Sequence, residues 1–312
     1  MRHPPTGIRI SLRYVDPHGT ASDLVGEVVA ADDLRLVILP WDRGPRTVGT
    51  AAVVAWRPVP PKTVRPSSTP ADLARLAARG WPGLELERLG GWELRAGGGY
   101  TRRANSALCE GDPGTDVAGA LDRVTAFYRS RGLPPQVMLP ARAGERHRLY
   151  DLLVRGGWAA HSPTWLMTRD LRSAPGVPLP PDVRVSWSAH PDPTWLAAFG
   201  RPHPLSAAVL TAADADYLTA GRDGEPVGIA RLALTGEWAG FAGLWVAPEH
   251  RGEGLGTALV SLLADRARTR GGRYAYLQVL ADNVAARRLY ERLGWQVHHG
   301  YTYLTLGGPP HG

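Results

Sequence analysis

The sequence predicts an α/β (α+β) protein, with a mixed central sheet, flanking helices and a small N-terminal β-barrel. Three observations lead there. An apolar run, Leu244-Trp245-Val246, enters the turn Ala247-Pro248-Glu249-His250-Arg251-Gly252-Glu253-Gly254-Leu255-Gly256-Thr257, and a long helical pattern follows at once. Two proline-rich stretches, within residues 57–70 and 173–182, divide the 312 residues into three segments, because proline neither continues a helix nor donates to a sheet. The segment before the first break holds short β-rich runs rather than helical spacing.

Composition narrows the class. With 44% apolar and 21% charged residues the chain is globular and long enough for two or three cores. No apolar run reaches the roughly 18 residues of a membrane span. Met1-Arg2-His3-Pro4-Pro5 lacks an apolar signal core, so a cytoplasmic location without a membrane partner is expected. The one cysteine, Cys109, excludes an intrachain disulfide and reads as a half-buried packing residue. The formal charge is +7, and Lys62 is the only lysine among 36 basic residues. Such a balance suits a phosphate-bearing ligand. Nucleic acid is disfavoured, because no basic run with interleaved aromatics occurs.

Residues 1–60 carry strand patterns at Ile8–Tyr14, Leu24–Ala30, Leu34–Leu39 and Thr50–Trp56. Asp16-Pro17-His18-Gly19, Asp32-Asp33 and Asp42-Arg43-Gly44 supply the turns. This is the pattern of a small SH3-like barrel, read as an accessory domain. After a linker at 61–70, residues 71–172 open with a helix whose N-cap is Thr69, with Pro70 at the first position and Leu73, Leu76 and Ala77 on one face. A strand is expected around Trp92–Arg95, then a helix from Asp116 with Val117, Leu121, Val124 and Tyr128 at helical spacing.

A second linker, 173–182, precedes residues 183–312, which read β-α-α-β-β-β-α-β-α-β-β as far as residue 306. Val183–Trp187 opens the segment and short helices lie between Trp195 and Ala213. Tyr217–Arg222 and Val227–Leu234 flank an Asp223-Gly224 hairpin turn. The strand Trp238–Val246 leads into the glycine turn. The helix beyond has Leu259, Leu262, Leu263 and Ala267 on one face and ends at Gly271-Gly272.

The glycine turn points to chemistry. The first four N–H groups of a helix lack partners within it, and aligned peptide dipoles leave partial positive charge there. Gly252, Gly254 and Gly256 let the backbone bend and let an anion approach with no Cβ in the way. No Gly-Lys-Ser/Thr follows, and the spacing is not GxGxxG, so neither a phosphate loop of NTPases nor a dinucleotide turn is present. The run Val246-x-Pro248-x-x-Arg251-Gly252-x-Gly254-Leu255-Gly256 resembles the acyl-CoA pyrophosphate loop of the GNAT superfamily of N-acyltransferases. Downstream, Leu277-Gln278-Val279, Asn283, Tyr290 and Gly294-Trp295 stand at the spacings of that family's strand, asparagine, helix tyrosine and glycine–aromatic pair.

The resemblance covers residues 183–306. It implies the GNAT fold, acetyl-CoA as cofactor with CoA as product, and acetyl transfer to a primary amine of a small molecule or protein by direct attack in a ternary complex. It assigns the pantetheine arm to the backbone of Leu244, Trp245 and Val246. The pyrophosphate falls to Arg251 and the amides of Gly252, Glu253, Gly254, Leu255, Gly256 and Thr257, and the cofactor arm to Asn283. Tyr290 matches the general acid for the leaving thiolate, the plain alternative being a core tyrosine beside Leu289 and Leu293. A backbone N–H near Trp245 would hold the oxyanion.

Where some members carry a glutamate base this chain has Gln278, which takes no proton. Glu237, at the start of the strand from Trp238, is the remaining acidic candidate. A lysine-type amine, with a pKa of about 10.4, needs such help more than an α-amine near about 8. No metal site is expected, because His298 and His299 are neighbours on a strand and should face opposite ways.

Gly157-Trp158-Ala159-Ala160-His161 echoes Gly294-Trp295-Gln296-Val297-His298, and in that register Leu153 stands where Tyr290 does. Residues 71–172 therefore read as a second, degenerate GNAT-like unit. Its turn, Glu110-Gly111-Asp112-Pro113-Gly114-Thr115, lacks a donor at Pro113 and carries a repelling carboxylate at Asp112, so it should bind no CoA. Its loop Gly97–Asn105 is a candidate substrate contact. Two other functions stay open. One is a tandem-GNAT acyltransferase of small-thiol or natural-product metabolism, the other a non-catalytic CoA-sensing or nucleic-acid-binding protein built around the N-terminal barrel.

Overall fold

The computed structural model describes residues 3–40, 44–60, 62–174 and 176–308. Asp42 and Arg43 of one expected turn, and Pro61 and Pro175 in the two linkers, lie outside them. The first sheet is an antiparallel array of β1 (Arg9–Val15), β2 (Ala21–Ala31), β3 (Arg35–Pro40), β4 (Arg46–Gly49) and β5 (Val53–Pro58), in the order β4-β3-β2-β1-β5. Ile10, Leu12, Val28, Leu36, Ile38 and Val48 point inward and form its core. The run expected as one strand from Thr50 divides, since Thr50–Ala52 is a 3-10 turn and β5 starts at Val53. Among the described residues no ladder joins β4 to β5. The sheet is thus open where a closed barrel was expected.

Helix α1 (Pro70–Gly80) begins as its sequence dictates. Thr69 accepts from the Asp72 amide while the Asp72 carboxylate accepts from the Thr69 amide, a reciprocal cap that satisfies two orphan donors. Lys62 Nζ closes on the same carboxylate at 2.8 Å. Leu73, Leu76 and Ala77 are buried as the spacing required.

The remaining elements build one sheet. They are β6 (Glu85–Leu89), β7 (Trp92–Ala96), β8 (Ala107–Leu108), α2 (Val117–Arg129), β9 (Gln136–Ala141), α3 (Tyr150–Arg155) and β10 (Trp158–Asp170), followed by β11 (Arg184–Ser188), α4 (Pro193–Phe199), α5 (Ser206–Thr211), β12 (Ala215–Arg222), β13 (Glu225–Thr235), β14 (Trp238–Val246), α6 (Leu255–Thr269), β15 (Tyr274–Leu280), α7 (Val284–Arg292) and β16 (Gln296–Leu306). The eleven strands run β11-β12-β13-β14-β15-β10-β16-β9-β8-β7-β6. A pseudo-twofold lies between β10 and β16. On one side β14 and β15 are parallel with α6 between them in sequence, and on the other β8 and β9 are parallel with α2 between them.

The last strands of the two units are exchanged. β10, from the segment before residue 173, pairs with β15 from Thr164↔Leu280 to Asp170↔Tyr274, while β16 pairs with β9 from Gly300↔Ala141 to Thr305↔Gln136. Two closing strands were expected after α7, but among the described residues only β16 follows it, and β10 takes the place of the other. The echo between the units is structural as well: Leu153 is the one buried residue of α3, and Tyr290 the one buried residue of α7.

Two local expectations are corrected. His298 and His299 do not face opposite ways, because the β10–β16 register shifts between Leu166 and Met167 and leaves one extra residue on β16. Their Nδ1 atoms lie 2.7 Å apart, His298 Nε2 meets Ser68 O at 2.9 Å, and burial lowers the His299 pKa to about 3. Cys109 is fully buried rather than half-buried, and burial raises its pKa well above the usual thiol range. No helix among the described residues is long and apolar enough to cross a membrane.

Cutting the chain between residues 174 and 183 should separate strands that complete each other's sheets. Either half expressed alone is expected to aggregate. Co-expressed halves should elute together at the mass of the whole chain in size-exclusion chromatography, and two soluble, independently folded halves would contradict the exchange.

Candidate active site

The site starts where a parallel ladder stops. β14 and β15 pair over Trp238↔Tyr274, Ala239↔Ala275, Gly240↔Tyr276 and Phe241↔Leu277, and no further. Beyond that point β14 bulges: Arg231 still opposes Ala242, but Ile229 opposes Trp245, so two residues, Gly243 and Leu244, face Ala230 alone. Gly243 makes this possible with φ +62, and a Cβ there would meet the Trp195 ring at 3.1 Å. β15 remains paired with β10 as far as Leu280. The strands therefore fork, and the edge of β14 from Ala242 to Val246 faces the opening without a ladder partner.

The glycine turn closes the open end. Gly252 and Gly254 adopt φ +87 and +84, where only glycine sits without strain. Gly254 is the N-cap of α6 and offers no side chain, whereas Thr69, Asp116, Asp192 and Asn283 cap α1, α2, α4 and α7. The longest helix thus begins with free donors and the positive end of its dipole exposed.

Side chains brace the turn from behind. Arg222 bonds Asp182 at 2.8 Å and Glu253 at 2.9 Å, and the hydrogen bonds from Arg222 and His250 hold the Glu253 carboxyl below its usual range. Arg251 Nε donates to Val246 O at 3.2 Å. The degenerate unit shows the contrary arrangement, in which Asp112 accepts from Gly114 N and Asp116 from Gly119 N. Two of its amides are already taken by its own carboxylates.

Helix α7 lines the other side. Asn283 caps it by accepting from Ala286 N at 3.1 Å. Leu289 lies near Gly256, whose added Cβ would stand 3.5 Å from Leu289 Cδ2, so the start of α6 packs against α7. Tyr290 is 9% exposed and set edge-on to Trp295 at 6.1 Å. Burial pushes its phenol up to about 12. Such a group keeps its proton until it is asked to give it up.

At the fork itself lie residues the sequence reading did not combine. Gln278 follows Leu277, the last residue of β15 paired with β14, and its Oε1 accepts from Arg103 Nη1 at 3.0 Å. Arg103 belongs to the 97–105 loop of the degenerate unit, and its guanidinium stacks 4.3 Å over Trp81. Arg231 lies 4.7 Å from the same ring and is fully buried, with Gly80 O, Leu210 O and the Tyr217 hydroxyl as acceptors. Tyr276 projects between Gly80 and Gly240, where a Cβ on either would strike its hydroxyl.

The structure brings Leu244, Trp245, Val246, Arg251 and the Gly252–Thr257 turn to one end of the fork, and Leu289 of α7, the helix that carries Asn283 and Tyr290, lies against Gly256. It does not bring Glu237 there. Glu237 is exposed on the turn before the nine-residue β14, roughly 30 Å from the glycine turn at ~3.3 Å per residue. Its candidacy as base is withdrawn. Arg103 was missed as a partner of Gln278 because 175 residues separate them; the signal was the glycine-rich loop that carries it.

Comparison with known proteins narrows the class in two steps. A GCN5-related N-acetyltransferase from Kribbella flavida shares the fold with TM-score 0.63 and 19% identity, over 78% of this chain and 97% of that one. The fold is that of the GNAT acetyltransferases. Residues 71–304 match the family described as "Probable histone acetyltransferase Rv0428c C-terminal", and the chain belongs to this family. It is 31% identical over 330 residues to "Probable histone acetyltransferase Rv0428c" of Mycobacterium tuberculosis, with 96% of this chain and 95% of that one covered. It is also 31% identical over 203 residues to the mycothiol acetyltransferase of Sanguibacter keddieii, covering 58% of this chain and 62% of that one. The chain is thus a GNAT-family N-acetyltransferase.

Gly243→Ala tests the bulge. A Cβ at φ +62 against the Trp195 ring should cost about 1–3 kcal/mol, seen as a lowered melting temperature, while Gly176→Ala, in open space, should leave it within error.

Proposed function

We propose that the chain transfers the acetyl group of acetyl-CoA to a primary amine by direct attack in a ternary complex. The observation that carries this reading is the fork between β14 and β15, closed at its open end by the uncapped start of α6. The unpaired edge at Leu244, Trp245 and Val246 can bond the amides of a pantetheine arm as a strand would. The amides of Gly252 to Thr257, with Arg251, suit a pyrophosphate. The Asn283 side-chain oxygen serves as a cap, which leaves its amide nitrogen for the cofactor arm.

In the step itself the acceptor nitrogen attacks the thioester carbonyl carbon. A C–N bond forms, the C–S bond breaks, and the developing oxyanion takes a hydrogen bond from backbone N–H near Trp245. Tyr290 delivers its proton to the leaving sulfur, and the proton lost by the amine leaves through water. Gln278, engaged by Arg103, supplies no base. An acceptor whose amine is already partly neutral suits this site better than a lysine ε-amine. A second reading, acyl transfer in small-thiol metabolism, draws on the likeness to the mycothiol acetyltransferase. It changes the acceptor and keeps the donor.

Acetyl-CoA at saturation should raise the melting temperature. Gly254→Asp, which sets a carboxylate against the pyrophosphate, should remove that shift, and Gly254→Ala, with the same backbone strain and no charge, separates folding from binding. An unchanged wild-type curve refutes the reading. Tyr290→Phe should lower kcat by about 10²–10⁴ with acetyl-CoA affinity nearly intact; lost affinity would make Tyr290 a packing residue. Because the folded phenol titrates at about 12, it stays protonated below that pH. Activity should therefore rise with pH as the acceptor amine loses its proton, with no descending limb from Tyr290 before pH approaches 12.

A further inference from the structure

We propose that the acceptor carries a carboxylate close to its amine, and that Arg103 of the degenerate unit is the residue that recognises it. This rests on the acetyltransferase reading above. No Asp or Glu lines the small cleft at the fork, whose walls include Trp81, Arg103, Arg231, Tyr276 and Gln278. Two guanidiniums share the Trp81 ring, but they differ in what they have left to give. Arg231 is 1% exposed and each of its three nitrogens already donates to the protein, so it contributes mainly fixed positive charge. Arg103 is half-buried, and among the described residues Gln278 Oε1 is the one acceptor it meets. Its remaining N–H groups form a planar fork of the kind that binds a carboxylate through two hydrogen bonds.

The loop that presents Arg103 is built to hold position. Asn105, 8% exposed, accepts from the Gly97 and Gly99 amides and donates to Tyr100 O and Thr101 O, so its one side chain fixes four points of the loop. The cationic character extends outward from there. The Tyr100 hydroxyl is buried without a partner, and its charged surroundings are Arg201, Arg103 and Arg231 with no carboxylate among them. Arg201 lies on the exposed connection between α4 and α5. A lysine-rich peptide would bring like charge into this field. A free amino acid would place its carboxylate on Arg103, with its α-amine beside Gln278 and the thioester.

The test is thiol release from acetyl-CoA with three sets of acceptors: the common L-amino acids, their α-carboxamides, and a lysine-rich peptide. The expected result is a kcat/KM for at least one amino acid that exceeds its carboxamide and the peptide by about ten-fold or more. Amine basicity does not explain such a preference, because the carboxamide has the less basic amine and more of it is neutral. Arg103→Gln should erase the difference through KM for the acceptor, with acetyl-CoA affinity unchanged, and Arg103→Lys should restore part of it. Equal or faster turnover of the carboxamides or the peptide overturns the proposal and leaves the acetyltransferase reading standing. Failure of the wild-type protein to bind acetyl-CoA overturns both.

Discussion

The structure depends on β10 and β16 lying side by side. A sheet edge left open presents a row of unsatisfied N–H and C=O groups, and each unit of this chain would have such an edge at its last strand. By exchanging those strands the units replace two edges with ladders, β10 on β15 and β16 on β9. The exchange also sets the site. Because β10 holds β15 along its full length, only the β14 side of β15 can open. The fork is then a fixed gap rather than a fraying end.

The two units use one scaffold in opposite ways. In the C-terminal unit the turn before α6 keeps its glycines and its uncapped amides. In the other, Asp112 and Asp116 satisfy local donors, and β8 is reduced to two residues. The 97–105 loop of the earlier segment reaches Gln278 across the molecule.

Local chemistry made much of this legible. Thr69 and Pro70 announce α1, Asp223-Gly224 announces the β12–β13 hairpin with both residues at positive φ, and Gly271 and Gly272 end α6. Leu153 and Tyr290, set in register by the Gly-Trp echo, are each the one buried residue of their helix. What escaped were features set by distant partners. β6 alternates charged residues with an exposed Leu86 and shows no buried face of its own, and the strand exchange depends on which edges meet after both units have formed. The single extra residue at His298 defeats the rule that neighbours on a strand point apart. Glu237 was chosen for its charge, and the length of β14 carries it away from the chemistry.

The Lys62–Asp72 pair has a consequence of another kind. Acyl thioesters modify neutral amines, and a protein that holds one is exposed to its own reagent. This chain has a single ε-amine, and that amine is bound to a buried carboxylate at the start of α1. All its other basic side chains apart from histidine are arginine, whose guanidinium stays protonated and does not compete as a nucleophile at neutral pH. A positive surface made this way keeps its charge through many turnovers, where a lysine-rich one would be neutralised site by site.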